Sequence, residues 1–107
     1  MNQINKKQVN KEKKDDLNNL KKFNQIEYIV KGFANKRRIE ILFLLKENSE
    51  LSVSEISEII KLNYKNTSAH LLKMMATGLV MKRNLNNEVR HALTTKGKNI
   101  VKFLKGI

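Results

Sequence analysis

Apolar residues recur at helical spacing over five stretches of this 107-residue chain, with short polar breaks between them. Leu17, Leu20, Phe23, Ile26 and Val30 mark one face of a first helix. Residues 36–47, KRRIEILFLLKE, carry Ile39, Ile41, Leu42, Phe43, Leu44 and Leu45 around most of the helical circumference, which predicts a central place in the domain. Val53, Ile56, Ile59 and Ile60 give a third stripe. Thr67, Leu71, Met74 and Met75 give a fourth, and Ile100, Val101, Phe103, Leu104 and Ile107 a last. Before that last helix, Leu79–Arg83 and Val89–Leu93 read as strands. Asn86-Asn87 between them tolerates the positive backbone angles of a tight hairpin turn.

The breaks carry helix signals. Asp15 or Asp16 can cap the first helix, because a carboxylate there accepts free amide protons and suits the dipole. Gly32 is its expected stop, and Asn35 caps the second helix. Ser52 followed by Glu55 is a capping box for the third, with a short strand possible over Leu51–Val53. Leu62 and Asn63 form a turn, Asn63 caps the fourth helix, and that helix ends near Gly78. Thr94 or Thr95 caps the last.

Residues 52–80 are thus two short helices around a tight polar turn, and a basic hairpin, KRNLNNEVRH (82–91), follows at once. This order predicts a mostly α fold with a small β-hairpin: a winged helix-turn-helix of about five helices plus a two- or three-stranded wing. The expected division is a flexible basic arm over 1–14 and a single domain over 15–107. The arm holds only Ile4 and Val9 as larger apolar residues, too few to order it by burial.

Charge narrows the class of partner. The chain has 22 Lys+Arg against 10 Asp+Glu, a formal net charge of +12, which favours a polyanion. Double-stranded DNA is the first candidate and an anionic membrane surface the second; as a function, membrane binding is a distant third, since the basic helices lack Trp and a large exposed apolar face. A merely lysine-rich soluble protein is the bland alternative. Without cysteine there is neither a disulfide framework nor a thiolate metal site. The N-terminus has no apolar h-region, and no run approaches the roughly 20 apolar residues that span a bilayer. A cytoplasmic, nucleoid-associated protein is expected. No Gly-rich phosphate loop, cysteine nucleophile or H-E-x-x-H is present, so an enzyme is not expected and no cofactor is implied.

In a helix-turn-helix the second helix enters the major groove with its N-terminal residues at the base edges. Asn63, Tyr64, Lys65, Asn66, Ser68, Ala69 and His70 are the candidate readers. Asn pairs bidentately with adenine, Lys reaches guanine or phosphate, and Ala touches a thymine methyl. Lys82, Arg83, Asn86, Asn87, Arg90 and His91 are the candidate wing contacts to the backbone or minor groove, with Glu88 unfavourable near the tip. Leu20, Phe23, Phe103, Leu104 and Ile107 exceed what one small core covers and are expected at a two-fold interface.

Residues 34–93 resemble the ArsR-type winged-helix repressors. ANKRRIEILFLL (34–45) is similar to that family's A-D-P-x-R-x-x-I-L-x-L-L opening. LNYKNTSAHLLKMMATGLV (62–80) aligns without gaps to L-S-Q-S-T-V-S-H-H-L-x-x-L-x-x-A-G-L-V. The closing LTTKGK (93–98) is closer to the MarR-type pattern. The resemblance implies a homodimer joined by its first and last helices, bound to an imperfect palindrome, usually as a repressor. Metal-sensing members carry E-L-C-V-C-D where this chain has ELSVSE (50–55), so Ser52 and Ser54 stand in the cysteine positions. Serine is a poor ligand for soft or borderline metals, and the last helix lacks the other sensor site's His and acidic pairs, so no metal is expected. A glycine expected in the turn is Lys61, at a cost of roughly 1–2 kcal/mol if that residue is left-handed. The alternative function is a winged-helix chromatin or interaction module that binds DNA without sequence choice or docks on a protein assembly.

Overall fold

The computed structural model describes the backbone of residues 6–107 and the side chains of residues 19–107. Five helices and one hairpin run in the order α1 (Lys6–Lys31), α2 (Lys36–Glu47), α3 (Val53–Ile60), α4 (Tyr64–Ala76), β1 (Val80–Leu85), β2 (Glu88–Leu93) and α5 (Thr95–Lys105).

The expected caps of α2 to α5 are the ones used. Asn35 accepts from the amides of Arg37 and Arg38, Asn63 from Asn66, and Thr94 from Gly97. Ser52 and Glu55 close a reciprocal capping box. The start of α1 is different. It begins at Lys6, so Asp15 and Asp16 lie inside the helix and not at its start, and residues 6–14 are helical where a flexible arm was expected. The remaining arm residues, 1–5, lie outside the described residues. The segment KKQVNKEKK contains no Gly or Pro, and its Lys, Gln and Glu extend an established helix at little cost.

α2 is the central element. Its Ile41, Leu42 and Leu45 are buried against Ile56 and Ile60 of α3, Leu71 and Met74 of α4, Leu79, Val80 and Leu93 of the hairpin, and Val101 of α5. Each such side chain contributes about 1.5–3 kcal/mol of burial. Thr67 is fully buried where an apolar residue would pack more simply, and its hydroxyl is satisfied by donating to the Asn63 carbonyl at 2.9 Å. α1 rests on the end of α4: the Tyr28 hydroxyl donates to the Ala76 carbonyl (3.2 Å), and Lys73 lies over the Tyr28 ring (5.8 Å).

The hairpin is antiparallel, with Val80 opposite Leu93 and Leu85 opposite Glu88. Asn86 and Asn87 both adopt positive φ, 52° and 65°, the turn their sequence predicts. Leu51 pairs with His91 as an isolated bridge, so the wing's third strand is reduced to one residue.

Candidate nucleic-acid interface

The turn before α4 is built from backbone closure. Lys61 is left-handed (φ 55°, ψ 51°), at the strain anticipated for a non-glycine residue. The Leu62 amide returns to the Ser57 carbonyl (3.1 Å) and the Ser57 hydroxyl donates to the Leu62 carbonyl. This fixes Asn63 as the cap, its carboxamide oxygen 2.8 Å from the Asn66 amide. Thr67, Leu71 and Met74 then point inward, while Asn63, Tyr64, Lys65, Asn66 and Ala69 are exposed and Ser68 is half-buried. No acidic residue occupies the first turn of α4, so its N-terminal dipole and Lys65 face outward together.

His70 ends this row, half-buried. Its Nδ1 lies 3.1 Å from Arg38 Nη1. Arginine only donates, so Nδ1 accepts and the neutral ring carries its proton on Nε2. The only buried side-chain polar atom without a partner among the described residues is Arg38 Nε, so Nε2 reaches the surface. Burial, then the charges of Arg38 and Arg37, push the His70 pKa down, which keeps the ring in this form. Arg38 also donates to the Lys31 carbonyl (3.2 Å) and joins the end of α1 to α4. Arg38 was not singled out from the sequence, although it stands at the arginine of the quoted opening motif.

The wing departs further from expectation. Alternation puts Lys82 and His91 on one face of the hairpin and Arg83 and Arg90 on the other. His91 is 2% exposed, its Nδ1 3.1 Å from the Leu51 carbonyl, and burial pushes its pKa down. It faces the interior, which removes it as a wing contact. Arg90 is a clamp. Its Nη1 donates to the Glu50 carbonyl (2.7 Å) and the Glu55 carboxylate (3.1 Å), and its Nη2 to Glu88 (2.8 Å). Those acceptors occupy the guanidinium, so Arg90 holds the wing to the start of α3 and does not extend from it. Arg83 Nε pairs with Glu50 at 3.0 Å. Lys82, Asn86 and Asn87 remain exposed without a carboxylate partner among the described residues.

Glu50 and Glu55 are the residues missed here. Glu50 is left-handed (φ 66°), which lets its carbonyl meet Arg90 while its carboxylate meets Arg83. Glu55 serves the capping box and Arg90 at once; its bonds to Ser52, then the Arg90 charge, lower its pKa. These partners lie 35 to 40 residues from Arg90 in sequence, so no local pattern announces them.

Of the residues expected at a two-fold interface, Leu20 (55%), Phe23 (59%), Phe103 (66%) and Ile107 (87%) are exposed. Leu104 is half-buried and packs partly on its own core. Ile26 and Val30 continue the exposed stripe of α1. At the cysteine positions, Ser52 is committed to its cap and Ser54 is exposed. Among the described residues no three His, Cys, Asp or Glu side chains converge. Among the described residues no helix is long and apolar enough to cross a membrane.

A capped, polar-faced second helix beside an anchored hairpin defines a winged helix-turn-helix DNA-binding regulator. The chain belongs to the ArsR family: residues 35–82 match the model of the arsR family of bacterial regulatory proteins. It is 36% identical over 77 residues to the transcriptional activator HlyU of Vibrio cholerae, covering 71% of this chain and 70% of HlyU. The solved structure of HlyU from Vibrio cholerae N16961 matches with a TM-score of 0.71 at 33% identity, over 80% of this chain and 94% of that one. Two more distant structures share the fold. The homodimeric winged helix-turn-helix DNA-binding domain Mb0332 of Mycobacterium bovis has a TM-score of 0.74 at 21% identity, over 99% of this chain and 87% of its own. The transcriptional repressor PagR of Bacillus anthracis has a TM-score of 0.70 at 24% identity, over 79% and 98%. The family consists of transcription regulators, not enzymes.

Proposed function

We propose that the protein binds a palindromic operator as a homodimer and represses transcription by occupying it, in the cytoplasm on the nucleoid. Each protomer sets the start of α4 in a major groove, with Asn63, Tyr64, Lys65, Asn66, Ser68 and Ala69 toward the bases and the His70 Nε2 proton toward a phosphate. Lys82, Asn86 and Asn87 track the backbone, and Arg83 joins them only by leaving Glu50. Residues 15–107 are the working unit, with α1 and α5 joining the protomers. The observation that carries this reading is the exposed, acid-free first turn of α4, held by a rigid turn and flanked by an anchored wing. No metal or cofactor takes part in it.

Selection of bound sequences from a random duplex pool tests the reading. Two inverted half-sites should emerge, bound about 10³-fold or more tighter than random DNA. Equal affinity for random DNA would replace this function with the chromatin-module alternative. The name of the HlyU relative, a transcriptional activator, favours a second reading of the sign, in which the bound dimer raises transcription. A reporter with the selected operator placed over or upstream of a promoter separates the two.

A further inference from the structure

We propose that the cleft between the wing, the end of α2 and α5 binds a small amphipathic carboxylate, and that its occupancy moves the wing. The cleft has a volume of about 340 Å³, within the range of small-molecule sites. Its floor is apolar: Leu45, Ala92 and Leu93 are buried, and Met81 is partly exposed beside them. Its rim is cationic, with Lys46, Lys98 and Arg83 against a single carboxylate, Glu50. Among the described residues neither Lys46 nor Lys98 has an ion-pair partner. A second cleft of about 320 Å³ shares Lys46 and Lys98 and adds Lys102 and the Glu47-paired Lys105, so the positive rim continues along α5 through Lys102. An apolar floor under a rim with two unpaired lysines matches a ligand with a hydrocarbon body and one carboxylate. A bare anion leaves the floor unfilled, and a neutral molecule leaves the rim unused.

The α4 surface does not account for these lysines. Lys82, Val89 and His91 face a different cleft, shared with Tyr64 and Leu72 of α4. The proposed site lies on the opposite face of the hairpin, with Met81 and Arg83. There it touches the wing's attachment. Glu50 binds Arg83 through its carboxylate and Arg90 through its carbonyl, from a left-handed backbone. A second carboxylate beside Glu50 repels it and competes for Arg83. Occupancy therefore favours a wing released from Glu50, and any difference in wing pose becomes a difference in DNA affinity. That effect on DNA rests on the function proposed above; the binding of the carboxylate does not.

The test uses the whole chain with octanoate as probe, and octanol and inorganic phosphate as controls. Calorimetry should give saturable binding of octanoate, one per chain, with both controls much weaker. Amide chemical shifts should move at Leu45, Met81, Ala92 and Leu93. Lys46→Glu and Lys98→Glu, both at exposed positions, should each weaken octanoate about tenfold or more while melting normally, and Lys98→Arg should retain it. Saturating octanoate should change operator affinity by between about 5-fold and about 150-fold. The site is overturned by non-saturable binding, by phosphate binding as tightly as octanoate, or by shifts centred on Phe103 and Ile107. It is also overturned if the two glutamate variants bind octanoate normally, or lose DNA affinity without any octanoate response in the parent protein. Octanoate binding that leaves operator affinity unchanged overturns the coupling to the wing. A chain that binds no operator even without octanoate overturns the proposed function, while calorimetry and the shifts still judge the site.

Discussion

At the scale of single residues, Arg90 and His91 sit side by side on β2 and do opposite things. Strand alternation turns His91 into the core and Arg90 toward Glu50 and Glu55. The sequence shows four Lys, Arg and His residues on the hairpin but not which way each faces, because a one-residue change of register exchanges the faces. Nor does it show that Glu50 and Glu55, 35 to 40 residues away around the start of α3, are partners of Arg90. Lys82 and Arg90 should therefore separate on mutation. Lys82→Ala should weaken binding to any duplex and lower the salt slope by about one unit. Arg90→Ala should lower the melting midpoint and affect DNA only through a loosened wing. Arg90→Lys should not restore it, since an ammonium cannot replace a planar fork shared among three acceptors.

The two histidines add a pH dependence with a defined sign. Both have folded pKa values below the ordinary 6.5, each through burial first. A depressed histidine pKa means that folding favours the neutral ring. The stabilisation is complete above the ordinary value of 6.5 and is lost as pH falls from there through the folded values. Thermal melts should thus lose midpoint on acidification below that value. His70→Gln and His91→Gln together should flatten the loss; an unchanged profile in the double variant would assign it to carboxylates.

At the scale of elements, the caps and stripes were legible because each depends on residues within a turn of one another. Asn35, Ser52, Asn63 and Thr94 all cap as their positions predict. The start of α1 was not legible, because it lacks both an apolar stripe and a breaker over residues 6–14. The left-handed turn at Lys61 was visible only as a missing glycine, and the structure bears it out. Lys61→Gly should relieve that backbone and stabilise the domain by about 1 kcal/mol, measured by chemical denaturation. Gly97 makes the converse case. It lies buried in the first turn of α5, where an added Cβ would collide with the Leu79 carbonyl oxygen and sit 3.2 Å from its carbon. Backbone cannot yield as a flexible side chain does. Gly97→Ala should therefore cost about 1–3 kcal/mol, lowering the melting midpoint by about 4–8 °C for each kcal/mol.

At the scale of the whole molecule, one chain leaves two apolar faces uncovered. Leu20, Phe23, Ile26 and Val30 line α1, and Phe103 on α5 and Ile107 just beyond it form the second face, all between 41% and 87% exposed. The sequence gives each stripe its spacing but not its partner: Leu104, in the same run as Phe103, turned out to pack on its own core. In the proposed homodimer, a second copy related by a two-fold axis would cover both faces with one self-complementary surface and set two α4 helices at a fixed separation. Phe103→Asp places a charge in that surface without touching the core, so the protomer should stay folded and sediment as a monomer. Its affinity for a single half-site should stay near that of the parent. Its affinity for the full operator should fall by about 10²- to 10⁴-fold, the advantage of presenting two linked reading helices. A monomer that keeps full operator affinity would show that the half-sites are bound independently. A dimer that survives the substitution would place the two-fold axis elsewhere, with the stripe on α1 the next surface to charge.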